Sequence, residues 1–177
     1  MRLLLDTNVL SEVTKPTPDP RVLDRLDEDR SFISVVSIAE IRRGVALMDE
    51  GRKRETLAEW LAQDLPRRFE QRVLHIDEPI ALAWGDLMAL AKRRGRGLSS
   101  MDGLITATAI AHNLTLATRN TSDFEGFAFE LFDPLDRLNP VRNPGHLGGL
   151  RDRLRCSPQA LRVFSTGQKL KGLSSRA

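Results

Sequence analysis

The chain is 177 residues long, with 27 Lys/Arg against 24 Asp/Glu, three histidines and one cysteine. That length supports one domain with a sizeable core and is too short for two comfortable ones. The lone Cys156 excludes an internal disulfide and any multi-cysteine metal site. The net charge of +3 belongs to the C-terminal end, since residues 1–140 hold 19 Lys/Arg against 23 Asp/Glu, a balance of −4, and residues 141–177 hold 8 against 1, a balance of +7. Such a tail can steer an anionic polymer or partner, although most charge runs are simply solvated.

In chain order, residues 2–5 form the first predicted strand, a buried Leu3-Leu4-Leu5 run that ends at Asp6, with Thr7-Asn8 placed to cap a following helix. Asp6 in this first apolar run, and the lack of a small-residue cleavage site, argue against a secretory signal and for a cytoplasmic location. Residues 14–20 carry three prolines and read as a loop. A second strand is expected over 32–35. A helix over 37–48 follows, with Ile38, Ile41, Val45 and Met48 on one face, and another over 52–65 with Leu57, Trp60, Leu61 and Leu65. The third strand is expected over 72–76, with His75 inside it. Asp77 caps a helix to about residue 94, with Pro79 in its first turn and a basic, glycine-punctuated end at 92–97. Residues 99–113 are rich in Ala and Thr and predict a buried helix lying close on a sheet. Strands over 114–118 and 129–132 complete the series. No apolar run approaches the ~20 residues of a membrane span.

This alternation is that of βαβ units on a parallel sheet. After Pro140 the texture changes to Asn-Pro-Gly and Gly-Gly, and residues 141–177 read as an appendage with at most a short helix over 158–164.

Four acids stand where an apolar run ends or a helix begins: Asp6, Glu40, Asp102 and Asp123. Each except Asp6 also has a local structural reading. Glu40 lies three residues after Ser37 and Asp102 three after Ser99, the spacing of a capping box, and Asp123 fits an Asx turn. Capping alone does not predict that all four would converge on one sheet edge. Like charges about 4 Å apart repel by roughly 4 kcal/mol at an intermediate dielectric, and a divalent cation removes that cost. Carboxylates without imidazole or thiolate neighbours favour Mg²⁺ or Mn²⁺ over zinc. His75, His112 and His146 are scattered, and Trp60 and Trp84 read as packing residues.

The motifs Leu4-Leu5-Asp6-Thr7-Asn8-Val9-Leu10, Ser37-Ile38-Ala39-Glu40-Ile41-Arg42-Arg43-Gly44, Met101-Asp102-Gly103-Leu104-Ile105-Thr106-Ala107-Thr108-Ala109 and Leu116-Ala117-Thr118-Arg119-Asn120-Thr121-Ser122-Asp123-Phe124 follow one another in order. Together they resemble the PIN-domain ribonucleases, in particular the VapC-like toxins of bacterial toxin–antitoxin pairs. The resemblance covers roughly residues 1–135. It implies an α/β/α sandwich on a parallel sheet, with a helical protrusion and, in this chain, a basic C-terminal tail. It further implies that Asp6, Glu40, Asp102 and Asp123 bind the metal, supported by Thr7, Asn8, Thr118 and Asn120. A homodimer, an inhibitory cognate antitoxin and RNA as substrate are also implied. The chain departs from the family's pattern at Asp133-Pro134, where Asn-Pro is more usual, and in the extension after residue 140.

The chemistry expected of such a site is hydrolysis of phosphodiesters by a water activated at one or two Mg²⁺ ions, leaving 5′-phosphate and 3′-hydroxyl ends. Arg42, Arg43 and Arg119 flank the acids and are candidates for RNA-backbone contact, with a solvated helix face as the alternative for the first two. One rival is phosphoryl transfer through an aspartyl phosphate on Asp6. It is disfavoured because Asn8 stands where a second Asp is wanted and no lysine lies between Arg94 and Lys169. Another rival is a non-catalytic module that binds an antitoxin or RNA.

Overall fold

The computed structural model describes residues 1–13, 15, 17–20, 22, 30–124, 127, 129, and 130–135. Cys156, His146, the helix expected over 158–164 and the whole 141–177 extension lie outside the described residues.

Five parallel strands, β1 (Leu3–Leu5), β2 (Ser31–Ser34), β3 (Val73–Leu74), β4 (Thr115–Ala117) and β5 (Leu131–Phe132), form one sheet in the order β3-β2-β1-β4-β5. A strand buried on both faces must be apolar throughout, and β1 is. Leu4 joins a core with Leu116, Leu87, Ile105 and Phe124, and Leu3 and Leu5 join a second core with Val9, Ile33, Leu65 and Ala117. These two cores are the two interfaces of the α/β/α sandwich.

The helices are α1 (Thr7–Val13), α2 (Val35–Ala46), α3 (Arg52–Glu59), α4 (Leu65–Phe69), α5 (Glu78–Arg93) and α6 (Ser100–Ala111). Asp77 caps α5 as expected, accepting from the Ile80 N–H at 3.0 Å. The helix expected over 52–65 runs on to Phe69 but contains a π-turn at Trp60–Asp64, where the Leu65 N–H reaches back five residues to the Trp60 carbonyl. Pro66, at the start of α4, has no N–H for the carbonyl four residues earlier and its ring crowds that turn, so the helix widens just before it.

Three other expectations are corrected. The strand 32–35 begins and ends one residue earlier, and Val35 already belongs to α2. The third strand is only two residues long, so His75 lies beyond it and is exposed rather than a core or edge residue. Finally, of the strand expected over 129–132 only Leu131 and Phe132 form the ladder with β4, with Glu130 a single bridge residue whose carbonyl accepts the Leu116 N–H at 3.0 Å. Among the described residues, no helix is long and apolar enough to cross a membrane.

Candidate active site

Registry sets the site. Leu5 pairs with Ile33 on one side and with Ala117 on the other, so the next residues, Asp6, Ser34 and Thr118, form a row along the carboxyl edge of the sheet. The strand order reverses beside β1, which is where open α/β sheets bind ligands. The Asp6 N–H donates to the Ala117 carbonyl at 2.9 Å, fixing its backbone as an extension of β1.

Asp6 is only 5% exposed, and its two oxygens accept three hydrogen bonds. Oδ1 takes the Thr7 N–H at 2.7 Å, while Oδ2 takes Asn8 Nδ2 at 2.8 Å and the Thr118 hydroxyl at 2.7 Å. Burial pushes its carboxyl above the ordinary 3.8, against the opposing hydrogen bonds from Thr118 and Thr7, and the charges of Asp102 and Glu40 push it further the same way. Glu40 and Asp102, remote in sequence, therefore act on Asp6 through space.

Thr118 is the hub. Its hydroxyl donates to Asp6 and accepts from Asn8 Nδ2 at 3.1 Å and from the Asn120 N–H at 3.1 Å, which uses its one donor and both lone pairs. Asn120 Nδ2 in turn donates to Asp123 Oδ2, and Ser122 donates to Asn120 Oδ1 at 3.2 Å. Asp123 is thus tied to Asp6 through Asn120 and Thr118, within the short 3₁₀ turn Thr121–Phe124.

Glu40 and Asp102 are held differently. The cap of α2 is Ser34, whose Oγ accepts from the Val36 N–H at 3.2 Å, and not Ser37. Ser37 is fully buried inside the helix with no hydrogen-bond partner for its hydroxyl. The capping-box reading of Glu40 therefore falls, and Glu40 Oε2 accepts instead from the Thr7 hydroxyl of α1 at 2.6 Å. For Asp102 the capping reading holds. Ser99 Oγ accepts its N–H at 3.1 Å and donates to its Oδ2 at 2.6 Å. The first turn of α6 reaches this edge because Gly103 lets it lie directly on α5, where a Cβ would stand 2.7 Å from Met88 Sδ and 3.1 Å from Trp84 Nε1.

Arg42 and Arg43 are exposed on α2 just after Glu40. Arg119 is different: its Nη1 donates to Glu12 Oε2 at 2.8 Å and its N–H to Asn8 Oδ1 at 3.2 Å. Glu12, 7% exposed, also takes Lys15 Nζ at 2.6 Å, and the Lys15 hydrogen bond is the first cause that holds its carboxyl below the ordinary 4.5. The sequence reading overlooked Glu12. The available signal was its position on α1 one turn after Asn8, facing the same way.

The donor chemistry of Asp6, Glu40 and Asp102, hard oxygens with mutual repulsion, fits a divalent cation. As the side chains stand, no three His, Cys, Asp or Glu among the described residues are grouped to hold a metal ion. Glu40 and Asp102 each accept one side-chain hydroxyl on one carboxylate oxygen, and an ionised carboxylate keeps further lone pairs for a cation.

The chain belongs to the PIN-domain family, whose pattern it matches over residues 3–130. It is 41% identical over 135 residues to toxin FitB of Neisseria gonorrhoeae, covering 75% of this chain and 97% of that protein. A crystal structure of FitAcB from the same organism superposes with a TM-score of 0.63 at 42% identity, over 69% of this chain and 90% of that one. A VapC ribonuclease, Y4jK of Sinorhizobium fredii, is 37% identical over 75% of this chain and 96% of its own length. A toxin–antitoxin complex from Klebsiella pneumoniae contains a chain that superposes with a TM-score of 0.52 at 26% identity, over 76% of this chain and 98% of that one.

Proposed function

We propose that this protein is a divalent-cation-dependent endoribonuclease, the toxin of a toxin–antitoxin pair, with Asp6, Glu40, Asp102 and Asp123 as its catalytic and metal-binding carboxylates. The observation that carries the reading is Asp6 at the switch point of the sheet, buried and burdened by the charges of Glu40 and Asp102. Membership in the PIN family and the likeness to proteins named toxin and VapC ribonuclease point the same way.

Mg²⁺ or Mn²⁺ bound to these carboxylates would supply charge neutralisation at the phosphoryl oxygens and a water acidic enough to act as nucleophile. The chain's own residues do the placing. Thr118 and Asn8 fix the Asp6 carboxylate, Thr7 tethers Glu40, and Asn120 holds Asp123. Arg42 and Arg43 offer cations to the RNA backbone, whereas Arg119 is engaged by Glu12 and serves the site by fastening the segment after β4 to α1. His112 ends α6 about 15 Å of helix away from Asp102, too far to share a proton with it. The products are 5′-phosphate and 3′-hydroxyl ends. An antitoxin partner and a homodimeric state follow from the family resemblance.

The direct test replaces Asp6 by Asn and measures cleavage of RNA with Mg²⁺ or Mn²⁺. Activity should fall by about 10³-fold or more, and the activity of the wild type should vanish on chelation and return with added Mg²⁺ or Mn²⁺. A soluble, folded variant that cuts RNA undiminished refutes the assignment.

A further inference from the structure

From Leu87 to Met101 the chain has four cations and no acid: Lys92, Arg93, Arg94 and Arg96, all exposed. This run joins α5 to α6 and leads straight into Ser99 and Asp102. Its shape is rigid. The Gly95 N–H donates to the Lys92 carbonyl at 3.1 Å and the Arg96 N–H to the Ala91 carbonyl at 3.0 Å, with Gly95 at φ 65°, the paired bonds of a Schellman cap. Lys92 and Arg93 in the last turn suit the negative end of the helix, but Arg96 lies past that turn. The residues three and four before Lys92 and Arg93 are Met88, Ala89 and Leu90, so neither has a helical acid to pair with. Among the described residues, Lys92, Arg93 and Arg96 make no ion pair.

Resting on the ribonuclease reading above, we propose that the turn carrying Lys92, Arg93 and Arg96 grips the phosphate backbone of the RNA strand that enters the acidic site beside Asp102. Five residues of chain separate Arg96 from Asp102, a reach of at most about 20 Å, so a strand gripped here spans only a few nucleotides before reaching the carboxylates. Arg42 and Arg43, just after Glu40, supply cations from the second helix that bears an acid. An acidic site repels a polyanion, and basic residues close to it offset that repulsion. The turn suits RNA better than a protein partner, because its exposed side chains are cationic, Leu98 beside them is buried, and the exposed Met101 is a single apolar side chain where a protein interface is built around a cluster of apolar anchors. Around Gly95 and Gly97 a Cβ would meet nothing within 4 Å, leaving the backbone open to a strand.

The experiment compares the full chain with Lys92→Ala/Arg93→Ala/Arg96→Ala in steady-state cleavage of a long single-stranded RNA with Mn²⁺ across a salt series. The expected result is a kcat/KM about tenfold lower, carried by KM with kcat kept, and a log–log salt dependence shallower by about 2 for three lost phosphate contacts. Arg93→Lys/Arg96→Lys, which keeps the charges, should recover most of the loss. An unchanged kcat/KM and salt slope overturn the proposal. So does a loss confined to kcat, which would mean damage to Asp102, and so does weakened binding of an antitoxin with unaltered RNA kinetics. Failure of the ribonuclease reading itself is seen separately, as a wild type that does not cut RNA, and the grip falls with it.

Discussion

The two halves of the acidic site are built to different standards. On the β1–β4 side, Asp6, Asn8, Thr118, Asn120 and Asp123 are joined by one chain of hydrogen bonds, with Asp6 and Thr118 almost wholly buried. On the helix side, Glu40 hangs from the Thr7 hydroxyl and Asp102 from Ser99, both partly exposed. Asp6 and Thr118 are thereby fixed, whereas Glu40, Asp102 and the exposed Asp123 each hang from a single side-chain donor.

The comparison breaks most visibly at Thr118. Thr118→Val keeps the shape but strands three polar partners in a buried place, so unfolding free energy should fall by about 2–3 kcal/mol and RNA cleavage by about 100-fold. Thr118→Ser should restore both, as read by urea titration and initial rates. Next comes Gly103→Ala, whose Cβ would stand 2.7 Å from Met88 Sδ and 3.1 Å from Trp84 Nε1, so that Met88 must swing aside and the start of α6 lifts from α5 by as much as the Trp84 ring does not give. A loss of about 1–3 kcal/mol is expected, together with reduced activity as Asp102 moves.

Ser99→Ala sharpens the contrast from the loose side. Losing the cap of α6 should cost about 1 kcal/mol while cleavage changes only a few-fold, because the Ser99 hydroxyl occupies one oxygen of Asp102 and leaves the carboxylate itself in place.

Two titrations separate the regions further. Glu12, held below its ordinary 4.5, contributes stability above that value and loses it as pH falls through its lowered one. Glu12→Gln should therefore lower the wild-type Tm at neutral pH, with the deficit closing in acid. Asp6, raised above 3.8, favours the folded state fully below 3.8 and loses that contribution as pH rises through its raised value, so the ionised site costs stability at neutral pH. Adding Mn²⁺ should raise Tm near neutral pH and raise it progressively less as pH falls towards 3.8.

Much of this was legible locally. The unbroken Leu3-Leu4-Leu5 run announces a strand covered on both faces, and the Ala- and Thr-rich stretch after Ser99 announces a helix close on the sheet. Asp77 and Ser99 cap the helices they precede. Ser37 was misread because Ser34 and Ser37 are both good caps by type. What decided between them is that β2 ends at Ser34 to keep step with β1, so Val35 already turns into the helix.

The sequence by itself determined the alternation of strands and helices, the family, and the acids worth watching, because periodicity and motif are properties of neighbouring residues. Only the tertiary structure decided that Thr7 would hold Glu40, that Thr118 would lock Asp6 from 112 positions away, and that Glu12 would take Arg119 from 107 positions away. Those choices depend on strand register and burial, which bring remote donors and acceptors into a space where water cannot replace them.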